Sequence, residues 1–330
     1  MKPKVLQILP MYHQAGETVL NEGADVVRTD NLDPEHLKQM VQHVEGVVLR
    51  APAKMTSDII RSNPRLKVIS GAGVGLDNID VQCATACAIP VLHAPSVNAV
   101  STAEHALTLM LCLLRQIKLF QEKMHAGDFA SRDTIVTNEL RGKTVGLIGY
   151  GAIAQEVAKR CRYGFDANVV AYVRRIPDER QKRAHDLGVR LTTNLMELLS
   201  TADIVSVHVP FSPDTRHMIQ REHFRAMKRS AFFVNTARGG VVNTEHLIEA
   251  LKRGTIAGAG IDVFDPEPPP KDLPLLKLSN VIATPHIGGV TEEANRITST
   301  TVARNVLRVL RGEMPEHIAN PEVLGKNVKE

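Results

Sequence analysis

Residues 144–154, TVGLIGYGAIA, constrain the fold of this chain more than any other stretch. An apolar run that reads as a buried strand passes directly into Gly149-Tyr150-Gly151-Ala152-Ile153-Ala154, of the form GxGxxG/A, and then into the helical pattern IAQEVAKRC. Each small residue has its own task. Gly149 permits the tight turn, Gly151 lets backbone approach a pyrophosphate, and Ala154 lets the helix pack closely on the strand. The helix start at Ala152 and Ile153 offers unpaired N–H groups and a partial positive charge to phosphates. Glycines in a tight turn without a ligand have the same spacing, but strand, helix and second strand all follow in order here, which favours a dinucleotide.

Short apolar runs alternate with helical periods along the rest of the chain. KVLQIL (4–9), DVVRT (25–29), GVVLR (46–50), KVIS (67–70) and IPVLHA (89–94) form one series. TVGLIG (144–149), VVAYV (169–173), DIVSVHVP (203–210), AFFVNTA (231–237), AGAGID (257–262) and NVIAT (280–284) form a second. Strands alternating with helices predict mostly parallel sheets covered on both faces. Two series predict two doubly wound α/β domains, which 330 residues accommodate. Between the series, Ala103, Ala106, Leu107, Met110, Leu114, Ile117 and Phe120 recur at helical spacing, so one helix is predicted over about 98–125, with Gly127 as its stop. Leu109, Leu111, Cys112 and Leu113 make it apolar nearly all round, which predicts burial on both sides, between domains or against a second subunit. The segment TEEANRITSTTVARNVLRVLRG predicts another helix, ending at Gly312, able to carry the chain back to the first domain.

Charge and composition exclude several partners. The 40 basic and 36 acidic residues are mixed along the sequence and sum to only +4, so no basic face is expected and nucleic acid is not a partner. The N-terminal MKPKVLQILPMYHQ lacks the apolar core of a secretion signal, and no run of about 18 apolar residues is available to span a bilayer. Cys83, Cys87, Cys112 and Cys161 are scattered, with no second pair to complete a zinc site. Reduced thiols that are buried or idle, no metal and a cytoplasmic location are expected.

The stretch VAYVRR (170–175) closes the second strand of the nucleotide-binding pattern. In that fold an acid at the strand tip accepts hydrogen bonds from the ribose 2′-hydroxyl, whereas an arginine accommodates a 2′-phosphate. Val173 stands where the acid is expected, and Arg174 and Arg175 follow. A guanidinium binds phosphate through a charge-assisted fork, so NADP(H) is favoured, with NAD(H) still possible. The alternative is a solvated basic loop, since Arg180, Lys182 and Arg183 lie close by.

GAGVGLDNID (71–80), SVNAVSTAEHAL (96–107), GLIGYGAIA (146–154), NTARGGVVN (235–243), GAGIDVFDPEPPP (258–270) and TPHIGGVT (284–291) together resemble the D-isomer-specific 2-hydroxyacid dehydrogenases, over nearly the whole chain and in the family's order. The resemblance implies a flavodoxin-like substrate domain of residues 1–99 plus 289–330, into which a Rossmann nicotinamide-binding domain of residues 100–288 is inserted. It implies an active site in the cleft between them and a homodimer through the 98–125 helix. It assigns His286 as the acid/base, since imidazole gives and recovers a proton near neutral pH. Glu267 would pair with His286 and orient it. Arg238 would bind the carboxylate of a small 2-oxo or 2-hydroxy acid and polarise its carbonyl. The backbone N–H groups of Val74 and Gly75 would hold the same carboxylate, although Gly71 and Gly73 beside them also suit a turn needed only for chain geometry. Thr236, Asp262, Gly288 and Gly289 would surround the nicotinamide, and Val209 and Pro210 the adenine or its ribose. Singly, none of these residues is distinctive in a chain with 13 histidines and 40 basic residues; their joint occurrence in three motifs carries the assignment.

Leu49-Arg50-Ala51-Pro52 occupies the loop that closes over the substrate's third carbon in such enzymes. Arg50 meets a 3-phosphate, hydrogen-bonds a 3-hydroxyl or faces water; the residues alone leave these open. The expectation is a glyoxylate or hydroxypyruvate reductase, with a 3-phosphoglycerate dehydrogenase lacking a regulatory domain as the alternative. Formate dehydrogenases of the same superfamily carry Gln where Glu267 stands. A dinucleotide-sensing, corepressor-like binding protein is the alternative from another class, and no long tail or added recognition segment favours it.

Overall fold

The computed structural model describes residues 2–324. The chain divides into two compact units, the first running to Asn98 and resuming at Val290, the second spanning Ala99–Gly289. In the first unit β1 (Lys4–Ile8), α1 (Gln14–Gly23), β2 (Asp25–Thr29), α2 (Pro34–Val41), β3 (Gly46–Leu49), α3 (Ser57–Arg61), β4 (Val68–Gly71), α4 (Val81–Ala86) and β5 (Val91–Leu92) alternate. The second unit begins with α5 (Ala99–Leu114) and α6 (Ile117–His125). It continues through β6 (Thr144–Ile148), α7 (Ala152–Phe165), β7 (Asn168–Tyr172), α8 (Asp178–Asp186), β8 (Val189–Thr192), α9 (Leu195–Thr201) and β9 (Ile204–Val207). It closes with α10 (Arg221–Ala226), β10 (Phe232–Asn235), α11 (Thr244–Lys252), β11 (Gly258–Ile261) and β12 (Val281–Ala283), after which α12 (Glu292–Leu310) returns to the first unit.

Both sheets are wholly parallel among the described strands. The first has the order β2-β1-β3-β4-β5, the flavodoxin-like order; the second has the order β12-β11-β10-β9-β6-β7-β8, the dinucleotide-binding order with β12 added at one edge. Parallel sheets are covered on both faces, and the inner strands follow that rule, while the edge strand β2 has no buried residue. In the first unit, Leu37, Val41, Ile59, Ile60 and Cys83 of α2, α3 and α4 cover one face of the sheet. Leu20 of α1 with Val302, Ala303 and Val306 of α12 covers the other. In the second unit, α5 and α7 pack on one side, through Ala103, Met110, Val157 and Cys161. On the other side lie α9, α10 and α11, where the Phe224 and Phe233 rings meet edge to face at 5.3 Å.

Two elements differ from the sequence expectation. The strand β8, VRLT, was not anticipated, because an edge strand of four residues needs only Val189 and Thr192 buried while Arg190 stays exposed. The helix expected over 98–125 is two helices. The Leu114 carbonyl is taken by the Asn138 N–H at 3.0 Å, and Gln116 turns left-handed (φ 50°, ψ 39°) with its amide donating to the Val136 carbonyl at 2.9 Å. The chain at 136–138 thus terminates α5 from outside. Helix α5 is buried against the sheet and α7 of its own unit, whereas α6 has no buried residue.

Candidate active site

Three loops converge because their strands are neighbours. Strands β10, β11 and β12 lie side by side and parallel, so the loops that follow them leave the same edge of the sheet. The loop after β10 carries Arg238, the loop after β11 carries Asp262 and Glu267, and the loop after β12 carries His286. Gly239 brings the first two together: a Cβ placed there would lie 2.0 Å from the Phe264 carbonyl carbon, so only glycine allows this backbone approach. Asn235 folds the same loop by accepting the Ala237 N–H at 3.0 Å and donating to the Arg238 carbonyl at 3.0 Å. The Arg238 guanidinium donates to the Ala237 carbonyl at 2.7 Å.

His286 Nδ1 lies 2.8 Å from Glu267 Oε2, and the other carboxylate oxygen accepts the Phe264 N–H at 2.9 Å. Burial opposes ionisation of Glu267, but the hydrogen bonds from His286 and Phe264, with the charge of Arg238 nearby, outweigh it and hold the carboxyl below the usual range. With one ring nitrogen committed to Glu267, the other is the nitrogen able to exchange a proton with a ligand. The His286 side chain is 45% exposed, so a small molecule can reach it. His208 contrasts with it: burial pushes that imidazole down to about 4, leaving it neutral and bonded to Ser206 at 2.9 Å.

Asp262 is 1% exposed and organises the His286 loop. Its Oδ1 accepts the Thr284 hydroxyl at 2.6 Å and the Ile287 N–H at 2.9 Å, its Oδ2 accepts the Gly288 N–H at 2.8 Å, and its backbone carbonyl accepts the His286 N–H at 2.8 Å. Burial again opposes ionisation, and the donors from His105, Thr284, Ile287 and Gly288 together hold the carboxyl below the ordinary value. Both carboxylate oxygens are therefore engaged within the protein. Gly289 follows at the end of the unit.

At the glycine turn, Gly149 has φ 102° and a Cβ there would lie 2.5 Å from the His208 carbonyl oxygen, while Val209 packs against the same point. Gly151 leaves open space where its Cβ would be, and α7 starts at Ala152 and Ile153 with no side-chain cap on its N–H groups. The turn lies between β6 and β9, where the strand order reverses. Thr236, buried just beyond β10, has a hydroxyl with no hydrogen-bond partner. A tight uncapped turn, open space above it and an orphaned buried hydroxyl suit a dinucleotide. Val173 is buried in the core, so Arg174 and Arg175 are the first exposed residues after β7. Arg174 pairs with Asp214 at 3.0 Å, whereas among the described residues the Arg175 guanidinium has no ion pair. Pro210 is exposed, and its carbonyl accepts the Thr215 hydroxyl at 2.7 Å.

Arg50, Val74 and Gly75 belong to the other unit. The Arg50 guanidinium lies 5.2 Å from the centroid of the Tyr12 ring, its buried Nε has no partner, and Gly73 approaches the same ring. The Val74 carbonyl meets His93 Nδ1 at 3.2 Å. These residues follow β1, β3 and β4, and the strand order of that sheet reverses between β1 and β3.

Residues 107–288, more than half of the chain, match the model of the D-isomer specific 2-hydroxyacid dehydrogenase, NAD binding domain. The chain belongs to the D-isomer-specific 2-hydroxyacid dehydrogenase family. Within the family it is 42% identical over 328 residues to a D-3-phosphoglycerate dehydrogenase of Methanocaldococcus jannaschii, covering 98% of this chain and 61% of that protein. It is 39% identical to a hydroxypyruvate reductase of Thermotoga maritima, covering 91% of this chain and 96% of that one. The chain spans 61%, 58% and 52% of the length of three phosphoglycerate dehydrogenases it matches. Its fold is similar, with a TM-score of 0.85 and 26% identity over 97% of each chain, to an NADPH-dependent glyoxylate/hydroxypyruvate reductase from Sinorhizobium meliloti in complex with NADP and malonate. Tyr12, His105 and Thr284 were not expected from the sequence, and the fold places them against Arg50 and Asp262. Tyr12 has a detectable signal, an aromatic residue just past the strand at a sheet's reversal point; His105 lies in SVNAVSTAEHAL and Thr284 opens TPHIGGVT, and neither residue type marks a role there.

Proposed function

We propose that this chain is an NADPH-favouring D-2-hydroxyacid dehydrogenase that reduces glyoxylate or hydroxypyruvate, with Arg238, Glu267 and His286 as its catalytic residues. The observation that carries the proposal is the 2.8 Å pairing of His286 with Glu267 on a loop beside the one that bears Arg238. A bound reduced nicotinamide supplies a hydride to the substrate's C2. Arg238 binds the substrate carboxylate through its guanidinium fork and draws electron density from the adjacent carbonyl. The ring nitrogen of His286 remote from Glu267 gives its proton to the carbonyl oxygen, and Glu267 holds the ring in place as its charge changes. In the reverse direction His286 takes the proton back from the 2-hydroxyl.

The second unit is the nucleotide domain in this proposal. Gly149, Gly151, Ala152 and Ile153 receive the pyrophosphate, Val209 and Pro210 the adenosine, Thr236 and the Gly288-Gly289 turn the nicotinamide side, and Asp262 shapes that turn. Arg175, with Arg174 tied to Asp214, receives a 2′-phosphate; NAD(H) is then the weaker cofactor. The first unit is the substrate domain, with Val74 and Gly75 at the carboxylate and Arg50 at the third carbon. Similarity to a hydroxypyruvate reductase, at 39% identity, supports the short-substrate choice, and 3-phosphoglycerate is the alternative substrate. Exposed Ile117 and Met124 on α6 support a homodimer through the 98–125 region, and four free cysteines are in keeping with a cytoplasmic location.

The test is kcat/KM for NADPH and NADH with glyoxylate, hydroxypyruvate and 3-phosphohydroxypyruvate, for the wild type and His286→Ala. Loss of about 10²–10⁴-fold in kcat is expected for the variant. Near-normal turnover by His286→Ala, or no NADPH oxidation with any of these acids, refutes the proposal.

A further inference from the structure

His105 sits on α5, 179 residues from Thr284 in sequence, yet its Nε2 lies 3.0 Å from the Thr284 hydroxyl oxygen and 3.4 Å from Asp262 Oδ1. The hydrogen-bond directions in this group are fixed by chemistry. Ionised Asp262 only accepts, and it lies 2.6 Å from the Thr284 oxygen, so the single hydroxyl proton points to Asp262. The Thr284 oxygen is left as an acceptor toward His105, which must present Nε2–H. A chain of Nε2–H to Oγ1–H to Oδ1 results, largely shielded from water, where each bond polarises the next. The His105 side chain is 16% exposed.

The same ring forms the floor of the turn beside His286. Gly288, held by Asp262 Oδ2, is so placed that a Cβ on it would lie 3.0 Å from that oxygen and 3.5 Å from both His105 Cδ2 and Thr102 Cγ2. His286 itself has φ 54°, a left-handed conformation that a residue with a side chain keeps only when its surroundings impose it. Asp262 imposes it from one side through the His286, Ile287 and Gly288 N–H groups, and His105 fixes the Thr284 hydroxyl and the Asp262 carboxylate from the other.

We propose that His105 is a positioning residue for the reaction: from α5 it donates Nε2–H to Thr284 and through it locks the Asp262-held loop that presents His286. The role rests on the catalytic assignment of His286 made above, and the experiment separates the two. His105→Leu removes the donor, while His105→Gln restores an N–H close to the position of Nε2. With substrate and NADPH, His105→Leu is expected to lower kcat about ten-fold, the scale of one hydrogen bond, with KM for the 2-oxo acid changed by less than about two-fold. His105→Gln is expected to recover most of that loss. Unchanged kcat in His105→Leu, or a Gln variant as poor as the Leu variant, overturns the proposal. An NMR measurement that needs no turnover decides the same point in wild type and Thr284→Val: a slowly exchanging His105 Nε2–H resonance, lost in the valine variant, is expected, and an Nδ1–H tautomer overturns the proposal. If the wild type shows no His286-dependent turnover, the functional assignment fails by itself and the ring-proton result still decides the contact.

Discussion

Asp262→Asn tests how far one buried carboxylate holds the His286 loop. The carboxylate accepts three donors within 3 Å: the Thr284 hydroxyl and the Ile287 N–H on one oxygen, and the Gly288 N–H on the other. An asparagine amide offers one acceptor oxygen and one donor nitrogen. If its oxygen takes the place of Oδ1, the NH₂ group confronts the Gly288 N–H at a distance of 2.8 Å in the native contact. One charge-assisted bond is then lost and a buried N–H is left unpaired, and the two remaining bonds become neutral. A hydrogen bond to a charged group is worth about 1.5–3 kcal/mol, so the total loss is about 3 kcal/mol. The opposite amide orientation forfeits two bonds and costs more. For a unit of this size each kcal/mol moves Tm by about 2–4 °C, so a fall of about 6–12 °C is expected by calorimetry. Asp214→Asn, which breaks only the exposed pair with Arg174, is the control and should move Tm by less than about 2 °C. A fall of less than about 2 °C in Asp262→Asn would refute the assignment of Asp262 as the anchor of this loop.

Arg175→Ala should lower kcat/KM for NADPH by about ten-fold or more while leaving NADH within two-fold, because a charge-assisted phosphate contact is lost; an unchanged NADPH/NADH ratio returns Arg175 to solvent. Val173→Asp should destabilise the protein before it alters cofactor preference, since position 173 is only 6% exposed and an unpaired carboxylate would be buried there; a wild-type Tm contradicts this. Gly239→Ala should raise KM for the 2-oxo acid and lower Tm together, because the new Cβ meets the Phe264 backbone at 2.0 Å and must displace the loop bearing Arg238; a variant with unaltered KM and Tm refutes the close approach. Asp203, Asp262 and Glu267 all have depressed carboxyl values, with burial opposed and outweighed by Lys228 and Thr144 at Asp203 and by the partners given above at the other two. Their stabilisation is complete above the ordinary values of 3.8 for Asp and 4.5 for Glu and is lost as pH falls through the lower folded values. His208 adds a loss at higher pH, because it stays neutral in the fold down to about 4 while the unfolded chain takes up a proton below about 6.5. Tm should therefore begin to fall below about pH 6.5 and drop more steeply below about pH 4; a Tm held to pH 3 contradicts the depressed values.

The features legible in the sequence are those set by neighbouring residues. Each apolar run marked in the sequence is a strand; the inner ones are mostly aliphatic because a parallel strand covered on both faces must be, while the edge strand β2, with no buried residue, shows only through Val26 and Val27. The edge strand β8 escaped because it buries only its end residues Val189 and Thr192, which leaves Arg190 exposed and the run without an apolar pattern. The break between α5 and α6 escaped for a different reason: every residue from Ala103 to Phe120 suits a helix, and the stop comes from the Asn138 N–H, more than twenty residues on. The site divides in the same way. Gly149, Gly151 and the Glu267 and His286 pair lie in short motifs whose residue types carry their chemistry, and the fold brings that pair to 2.8 Å. Tyr12 stacks on Arg50 only because β1 and β3 are neighbours in a sheet whose order is 2-1-3, and His105 reaches Thr284 only because α5 packs on the sheet that ends in β12. Residues that touch a ligand are therefore constrained by chemistry and show in the pattern. Residues that hold those in place are constrained by topology, and a helix histidine such as His105 acquires its partner only once the strand order is known.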